Sequence, residues 1–544
     1  MATIEVSKKD LEKLVGKRLT LSNDELFDMK LELDREEGDS LFIELEYDRA
    51  DLLSAEGIAR QMRGYYGIET GLKKYELGKS ASTVTISEEM KKYRPYAQYF
   101  VALNVPFSDA SVRQIMQIQE KLHYVYAKDR ELASVGVYDY DKTSKNFVYE
   151  PIEPQKVKFV PLETNREMSG REILEEHPKG PPYACLLQHL DKYPLLSDDK
   201  GRVLSMPPII NSEDTKVDEK TKNLFVDVTG TDASVVNKIT VVLATMLAER
   251  GAKIQTVAVK HGKELRHVPQ LEYREKRFNP DYARRLLGVN ISNDEMIRLL
   301  KKQRFDARLE QGQMHVIVPC YRFDVMHDVD IIEEIACAYG LNNMKPVLPN
   351  VATIGEAHKI EKKAAKARSL LTGMGFQEIA TFILSSKETF EKAGGEKPAE
   401  LANAQSEEYN CVRNSLIPKL IEFAQKNKHY ELPQKFFECG EILAVTNKGE
   451  QKTETIKHVA AAITSADAGF TEIKSVCEAL LRNMRVSAEY RETDDARFVR
   501  GRCAEIHRGD KKMGIIGEVN PDVLTAFGLE NPMAAFEVNV EKLL

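Results

Sequence analysis

The sequence contains no tryptophan, and its seven cysteines (185, 320, 337, 411, 439, 477 and 503) include no C-x-x-C pair. That scatter argues against a zinc ribbon and against a disulfide framework, and it fits a reducing compartment, so a cytoplasmic location is expected. No apolar run is long enough to cross a bilayer, and the opening MATIEVSKKDLEKLVGK lacks the apolar core of a secretory leader. No membrane partner is expected. Internal repeats and low-complexity segments are missing as well. Positive charge is not in excess: 78 Lys and Arg against 85 Asp and Glu give a net charge of −7. The chain as a whole is therefore not a basic nucleic-acid binder, and RNA contacts must come from a local patch or a partner chain. Apolar residues are what the sequence has in quantity. They make up 42% of 544 positions, enough for several cores and roughly three to five domains.

One stretch organises the reading, VIVPCYRFDVMHDVDIIEEIACAYG from Val316 to Gly340. Met314–Val318 reads as a strand, Pro319 marks a turn, and a helix follows from about Asp328 to Tyr339. Ile331, Ile332, Ile335, Ala336 and Tyr339 recur at helical spacing and would face a core. Asp328 suits an N-cap, and Gly340 stands where a C′ glycine belongs. Asp330, Glu333 and Glu334 share the other side, and Asp324 can fold back onto it. Four carboxylates brought together repel unless a cation or a basic partner sits among them. Acidic residues near a helix N-terminus are also favoured by the dipole alone, and a solvated acidic face needs no ligand. If a metal is held, oxygen donors without Cys or His point to Mg²⁺ or Ca²⁺.

YRFDVMHDVDIIEEIACAYG resembles the signature of the phenylalanyl-tRNA synthetase beta subunit, in which an Arg-Phe-Asp turn leads into a D-x-I-E-E-x-A-x-x-Y-G helix. The resemblance implies that Asp324, Asp330, Glu333 and Glu334 bind Mg²⁺ near the alpha subunit. It extends in one colinear order over nearly the whole chain and implies an α+β multidomain protein.

Residues 1–85 are expected to form a small α/β domain. Thr3–Val6 and Leu41–Tyr47 read as strands, Lys8–Val15 as a helix, and DRADLLSAEGIARQMRGYYG (48–67) as a turn and a helix capped by Ser54. That run resembles the N-R-x-D-L-L-S-x-E-G-I-A-R segment of the same family, with Asp48 where asparagine is commoner. Gly67 and Gly71 in GIETGLK do not have phosphate-loop spacing.

Residues 86–265 read as one α/β unit. It contains strands at Gln98–Val105, Ser134–Tyr138 and Leu224–Val228, an amphipathic helix at Ser108–His123, and a helix at Ala233–Arg250 capped by TGTD (229–232). IQEKLH, KYPLL, MPPIINS and FVDVTGTD resemble the tRNA-editing domain of the family, which hydrolyses tyrosine wrongly esterified to tRNA(Phe). An apolar pocket built for phenylalanine rejects an added hydroxyl poorly, so a second hydrolytic pocket that hydrogen-bonds the phenol is a physical remedy. An aminoacyl ester needs only a positioned water and oxyanion donors. The candidates are Leu196, Ser205, Asn211, Ser212, Asp227 and Thr229, on loop edges and at a strand end leading into a helix N-terminus. Ser, Asn and Thr in such loops also serve as turn formers and caps, and Asp227 can anchor a loop.

Lys253–Arg277 is the densest basic stretch, read as a β-hairpin with a hydrophilic face or as a contact to the tRNA backbone. Residues 268–346 hold the acidic helix, two further helices at Pro280–Leu287 and near Ser292–Gln303, and a hairpin (Phe305–Leu309, Met314–Val318). Helices plus a hairpin suggest a winged-helix-like module, which the resemblance makes an Mg²⁺-binding docking domain. Residues 352–544 carry a helix (His358–Thr372), strands at 375–386 and 434–445, a helix within 410–430, and three strands and a helix within 498–543. This order resembles the antiparallel core of class II aminoacyl-tRNA synthetases, but in an inactive form. Activation there uses an arginine in an F-R-x-E strand, whereas FFECGE (436–441) has Phe437 at that position, and no glycine-rich motif ending in arginine is visible.

The resemblance is to the shorter archaeal and eukaryotic type, without counterparts of the bacterial oligonucleotide-binding and ferredoxin-like anticodon modules. It implies one half of a phenylalanine–tRNA ligase, an (αβ)₂ heterotetramer joining phenylalanine to tRNA(Phe) with ATP and Mg²⁺. The alpha subunit would bind ATP and perform aminoacylation, and this chain would supply scaffold, Mg²⁺ site and editing. Two rival readings are a stand-alone deacylase of mischarged tRNA and a pure scaffold.

Overall fold

The computed structural model describes residues 2–543, which divide into two compact units, up to Leu348 and from Pro349 onward. Three of the four expected domains thus lie in one unit. Its N-terminal part is a three-stranded antiparallel sheet, with Ser40–Leu45 between Ala2–Ser7 and Leu31–Glu37. Alternation in Ser40–Leu45 buries Leu41, Ile43 and Leu45 against Leu11 of the helix Lys8–Val15 and Ile58 of the helix Ala55–Tyr65. Ser54 caps the latter as expected, its hydroxyl accepting the Gly57 N–H at 3.2 Å. The strand Gly78–Ile86 belongs to the next sheet, so the boundary expected at 85 falls near 77.

That next sheet has ten strands. Along it run Ile210–Asn211, Val203–Met206, Tyr193–Asp198, Asn146–Ile152, Gly78–Ile86, Lys253–His261, Tyr96–Leu103, Leu224–Gly230 and Ala133–Asp139, with Glu264–Val268 paired to Lys253–His261. The last pair makes the basic stretch a hairpin whose residues Glu264 to His267 are exposed. The sheet curls until its ends meet. Its inner face closes on aromatic packing, with Phe225 stacked on Phe147 at 3.9 Å between centroids and on Tyr99 and Tyr138 at 5.8 and 6.1 Å. Its outer face is covered by the helices Asp109–Val125 and Ala233–Glu249, capped by Ser108 and Asp232.

The last part of this unit has helices Pro280–Leu287, Asn293–Lys302 and Asp328–Tyr339 on a three-stranded sheet. Gln313–Val318 lies between Asp306–Glu310 and Arg274–Phe278, the last of which the hairpin expectation omitted.

The second unit is a seven-stranded sheet, antiparallel except where Gln377–Glu378 joins Gln434–Val445. One face packs on helices Lys359–Gly373 and Phe470–Asn483, and the other on Ile417–Lys426 and Pro521–Ala526. The single strand expected at 375–386 is instead two two-residue strands, Gln377–Glu378 and Leu384–Ser385, in different sheets. Its apolar residues Phe382, Ile383 and Leu384 are exposed, so they lack the burial that period-2 patterning assumes. Among the described residues no helix is long and apolar enough to cross a membrane, and the cysteines are free, with Cys185 alone exposed.

Candidate functional site

The curl of the ten-stranded sheet leaves a cavity of about 520 Å³ at the free edge of Ala133–Asp139. Its walls are that strand, the helix Asp109–Val125 and the segment 207–217. Ser205, Asn211, Ser212 and Asp227 line it. Leu196 and Thr229 do not reach it. Leu196 is sealed in the aromatic core of the curled sheet. Thr229 shares the face of Asp227 two residues on, but its carbonyl accepts from the buried Arg94 guanidinium at 2.9 Å and its hydroxyl lies 3.3 Å from that of Ser134. Ser212 keeps the role of a cap, its Oγ accepting the Asp214 N–H at 3.3 Å.

Asp227 sits in the middle of the all-buried strand Leu224–Gly230, opposite Gly136 in register. The Tyr138 hydroxyl lies 2.5 Å from Asp227 Oδ1 and 2.7 Å from Ser205 Oγ. One phenolic proton serves one acceptor, so with Asp227 ionised Tyr138 donates to it and the Ser205 hydroxyl can donate to the phenol oxygen. Burial pushes the Asp227 carboxyl up to about 7, opposed by the Tyr138 hydrogen bond and the Arg94 charge. A carboxyl that changes charge near neutrality inside a cavity can accept or donate a hydrogen bond to a hydroxyl-bearing ligand. Gly136 makes the arrangement possible, since a Cβ there would overlap the Tyr138 hydroxyl and the Asp227 carboxylate.

Tyr138, Gly136, His123 and Arg130 also line the cavity and were not among the candidates. An isolated glycine inside a strand pattern, as in SVGVYD, is the sequence signal for a close approach at Gly136 and Tyr138. The roles of His123 and Arg130 depend on the loop 127–132 and on segment 207–217, and nothing local announces them.

The acidic helix has a different character. Its N-cap is His327 and not Asp328; Asp330 turns back to accept the N–H groups of Met326 and His327, each at 2.6 Å. Arg322, fully buried, donates to Asp324 at 2.6 Å and to Glu334 at 2.7 Å. Lys30 reaches Glu333 and Glu334 at 3.1 Å each, and Glu333 alone faces solvent, with its side chain 57% exposed. The positive charge of Arg322 outweighs burial and holds the Asp324 and Glu334 carboxyls below their ordinary range. Arg322 and Lys30 are basic partners of three of the four acidic groups. Among the described residues no group of three or more His, Cys, Asp or Glu side chains is placed to hold a metal ion. The four carboxylates of this chain by itself therefore do not fit a magnesium site, because two are spent on Arg322 and one on the helix cap. The network joins Lys30 and the buried Arg49, Asp51 and Arg60 to the helix module.

In the second unit, Phe437 is fully buried in the apolar cluster that includes Leu371 and Ile473. Its neighbour Glu438 turns to the other face, where the buried Arg413 and the Thr381 hydroxyl each donate to it at 2.7 Å. The strand thus offers a core residue where a phosphate-binding arginine would be needed.

Three described families match the chain: the phenylalanyl tRNA synthetase beta chain CLM domain over residues 344–540, the tRNA synthetase B5 domain over 276–341, and the B3/4 domain over 110–258. The phenylalanine–tRNA ligase beta subunit of Methanocaldococcus jannaschii is 39% identical over 554 residues, covering 99% of this chain and all of that protein. The protein of the same name from Methanosphaera stadtmanae is 36% identical, with both chains fully covered. Among solved structures, an N-terminal fragment of the phenylalanyl-tRNA synthetase beta subunit from Pyrococcus horikoshii superposes with a TM-score of 0.61 at 39% identity, covering 62% of this chain and all of the fragment.

Proposed function

The chain belongs to the family of phenylalanine–tRNA ligase beta subunits, and from that membership we propose that it works in an (αβ)₂ heterotetramer that joins phenylalanine to tRNA(Phe). ATP, with its Mg²⁺, binds to the alpha subunit, which performs aminoacylation. Phe437 supports this division of labour: an apolar ring packed in the core holds no phosphate. The second unit is then a catalytic-like scaffold, and the three-helix module with its three-stranded sheet, winged-helix-like, is a docking domain.

The cavity is the hydrolytic site for tyrosine misplaced on tRNA(Phe). The observation that carries this reading is the buried Asp227–Tyr138–Ser205 network on its wall. A cavity for phenylalanine has no use for it, whereas a phenol hydroxyl can join it as a further donor. Ionised Asp227 accepts a hydrogen bond from the substrate phenol on a lone pair that Tyr138 leaves free, a contact phenylalanine cannot make. Ser205 and Tyr138 hold the carboxylate in position. The substrate's own ester is the electrophile, attacked by a water that the walls orient.

Hydrolysis of Tyr-tRNA(Phe) by the assembled enzyme, read in a single turnover, tests this function. The parent is expected to deacylate Tyr-tRNA(Phe) faster than Phe-tRNA(Phe), and Asp227→Asn is expected to remove that preference. Equal rates on both substrates in the parent would overturn the reading.

A further inference from the structure

Two residues that line the cavity each carry one buried nitrogen without a hydrogen-bond partner. The helix Asp109–Val125 presents His123, 4% exposed, and the loop that follows presents Arg130, 7% exposed. His123 Nε2 accepts the backbone N–H of Val135 at 2.8 Å, which caps the unpaired edge of the strand Ala133–Asp139. A neutral imidazole that accepts at Nε2 carries its proton on Nδ1. His123 Nδ1 is buried and has no hydrogen-bond partner, and the same is true of Arg130 Nε. Arg130 is pinned on its other nitrogens, donating to Ile209 O at 2.9 Å and to Glu120 Oε1 at 3.0 Å. Lys128, Asp129 and Arg130 all have positive φ (45°, 52° and 73°), a run of non-glycine residues in the left-handed region. Such backbone persists only where its surroundings impose it, and it collects at ligand sites. Asp227 faces Gly136, the residue next to Val135, so this donor lies along the same stretch of strand as the network above.

We propose that His123 Nδ1–H is a substrate-contacting donor of the hydrolytic site, binding the ester carbonyl oxygen of an aminoacyl group attached to the 3′ end of tRNA. The proposal rests on the editing reading given above. When water attacks the carbonyl carbon, the C=O electron pair moves onto that oxygen and the donor holds it. Collapse re-forms the C=O bond and breaks the bond to the ribose oxygen, which leaves with a proton from the water. Tyrosine and the free tRNA hydroxyl are the products. Burial, together with the positive Arg130, Arg94 and Lys179, pushes the imidazole down to about 3, so it stays a neutral donor at working pH and is no general base. A strand cap alone would not need a histidine, since a glutamine oxygen reaches the same backbone N–H.

That difference supplies the test. His123→Gln keeps an acceptor for Val135 and deletes the Nδ1 donor; His123→Asn keeps an amide donor near Nδ1 and gives up the acceptor at Nε2. In the assembled enzyme acting on Tyr-tRNA(Phe), His123→Gln is expected to melt with the parent and to lower the single-turnover rate about 10²–10³-fold, the usual cost of one oxyanion donor. The deficit should be the same from pH 6 to 8, with KM changed less than kcat. His123→Asn should melt lower yet recover part of the rate. A His123→Gln enzyme at the parental rate, beside an Asp227→Asn enzyme that has lost tyrosine preference, overturns this inference alone. A parent enzyme that does not hydrolyse Tyr-tRNA(Phe) removes the editing reading and this inference with it.

Discussion

In the proposed hydrolytic site, Asp227 would tie stability to selectivity. Its carboxyl titrates at about 7 in the fold against an ordinary 3.8. Between those values the folded chain holds the extra proton, so stability falls as pH rises and the deficit is complete above about pH 7. At 1.36 kcal/mol per unit the deficit is at most about 4 kcal/mol. Asp227→Asn is therefore expected to raise Tm at pH 8 and to change it little at pH 4, as scanning calorimetry at the two pH values would show. The parental tyrosine preference should rise through pH 7 as the carboxylate forms, and that step should vanish in the variant. Gly136→Ala acts on the same pair from the facing strand. Its methyl group displaces Tyr138 and Asp227, with an expected loss of about 1–3 kcal/mol in denaturant unfolding and loss of tyrosine preference. A parental preference in Gly136→Ala would mean that the pair tolerates displacement.

At the scale of the element, the helix Asp328–Tyr339 was legible in sequence to within a residue at each end, since its apolar spacing and Gly340 are local features. Its acidic side was read from the helix alone, and the partners that decide its chemistry lie elsewhere: Arg322 before the helix and Lys30 some three hundred residues away. Arg322→Met leaves Asp324 and Glu334 buried without their ion-pair partner, with Arg49 and Lys30 as the remaining nearby cations. Breaking a buried pair in this way costs about 3–5 kcal/mol. In the parent both carboxyls sit below their ordinary range, so their pairing stabilises the fold above about pH 4 and is lost as pH falls. The variant's deficit in urea unfolding should then be full at pH 7 and shrink only as pH falls below about 4. Mg²⁺ titrated calorimetrically into the chain without its partner should give the same isotherm for the parent and for Glu333→Gln. A saturable site lost in that variant would show that the carboxylates do converge on the ion.

Across the whole molecule, the chain divides into two compact units where four domains were expected. The strand Gly78–Ile86 crosses the boundary expected at 85, because its partners Lys253–His261 and Asn146–Ile152 are distant in sequence. The first three expected domains pack into one unit, with Gly64 close against the backbone of Lys302 and Gln61 hydrogen-bonded to Gln303. Purified from a lysate of its native cells, the chain should be recovered with an equal amount of a second chain carrying F-R-x-E, at the mass of an (αβ)₂ assembly in light scattering. Recovery as a lone monomer would favour the stand-alone deacylase.

Local order was determined by the sequence itself. Caps at Ser54, Ser108, Asp232 and Ser292 and the strand Leu224–Gly230 all follow from neighbours a few residues apart. Convergence was decided by the tertiary structure alone. Ser205 meets Tyr138 because a ten-stranded sheet curls until its ends touch, Thr229 is lost to Arg94 by the same curl, and Arg322 claims two carboxylates that spacing leaves free. The reason is physical: helix and turn preferences are set by contacts over three or four residues, whereas a buried charge takes whichever partner the packed chain brings to it.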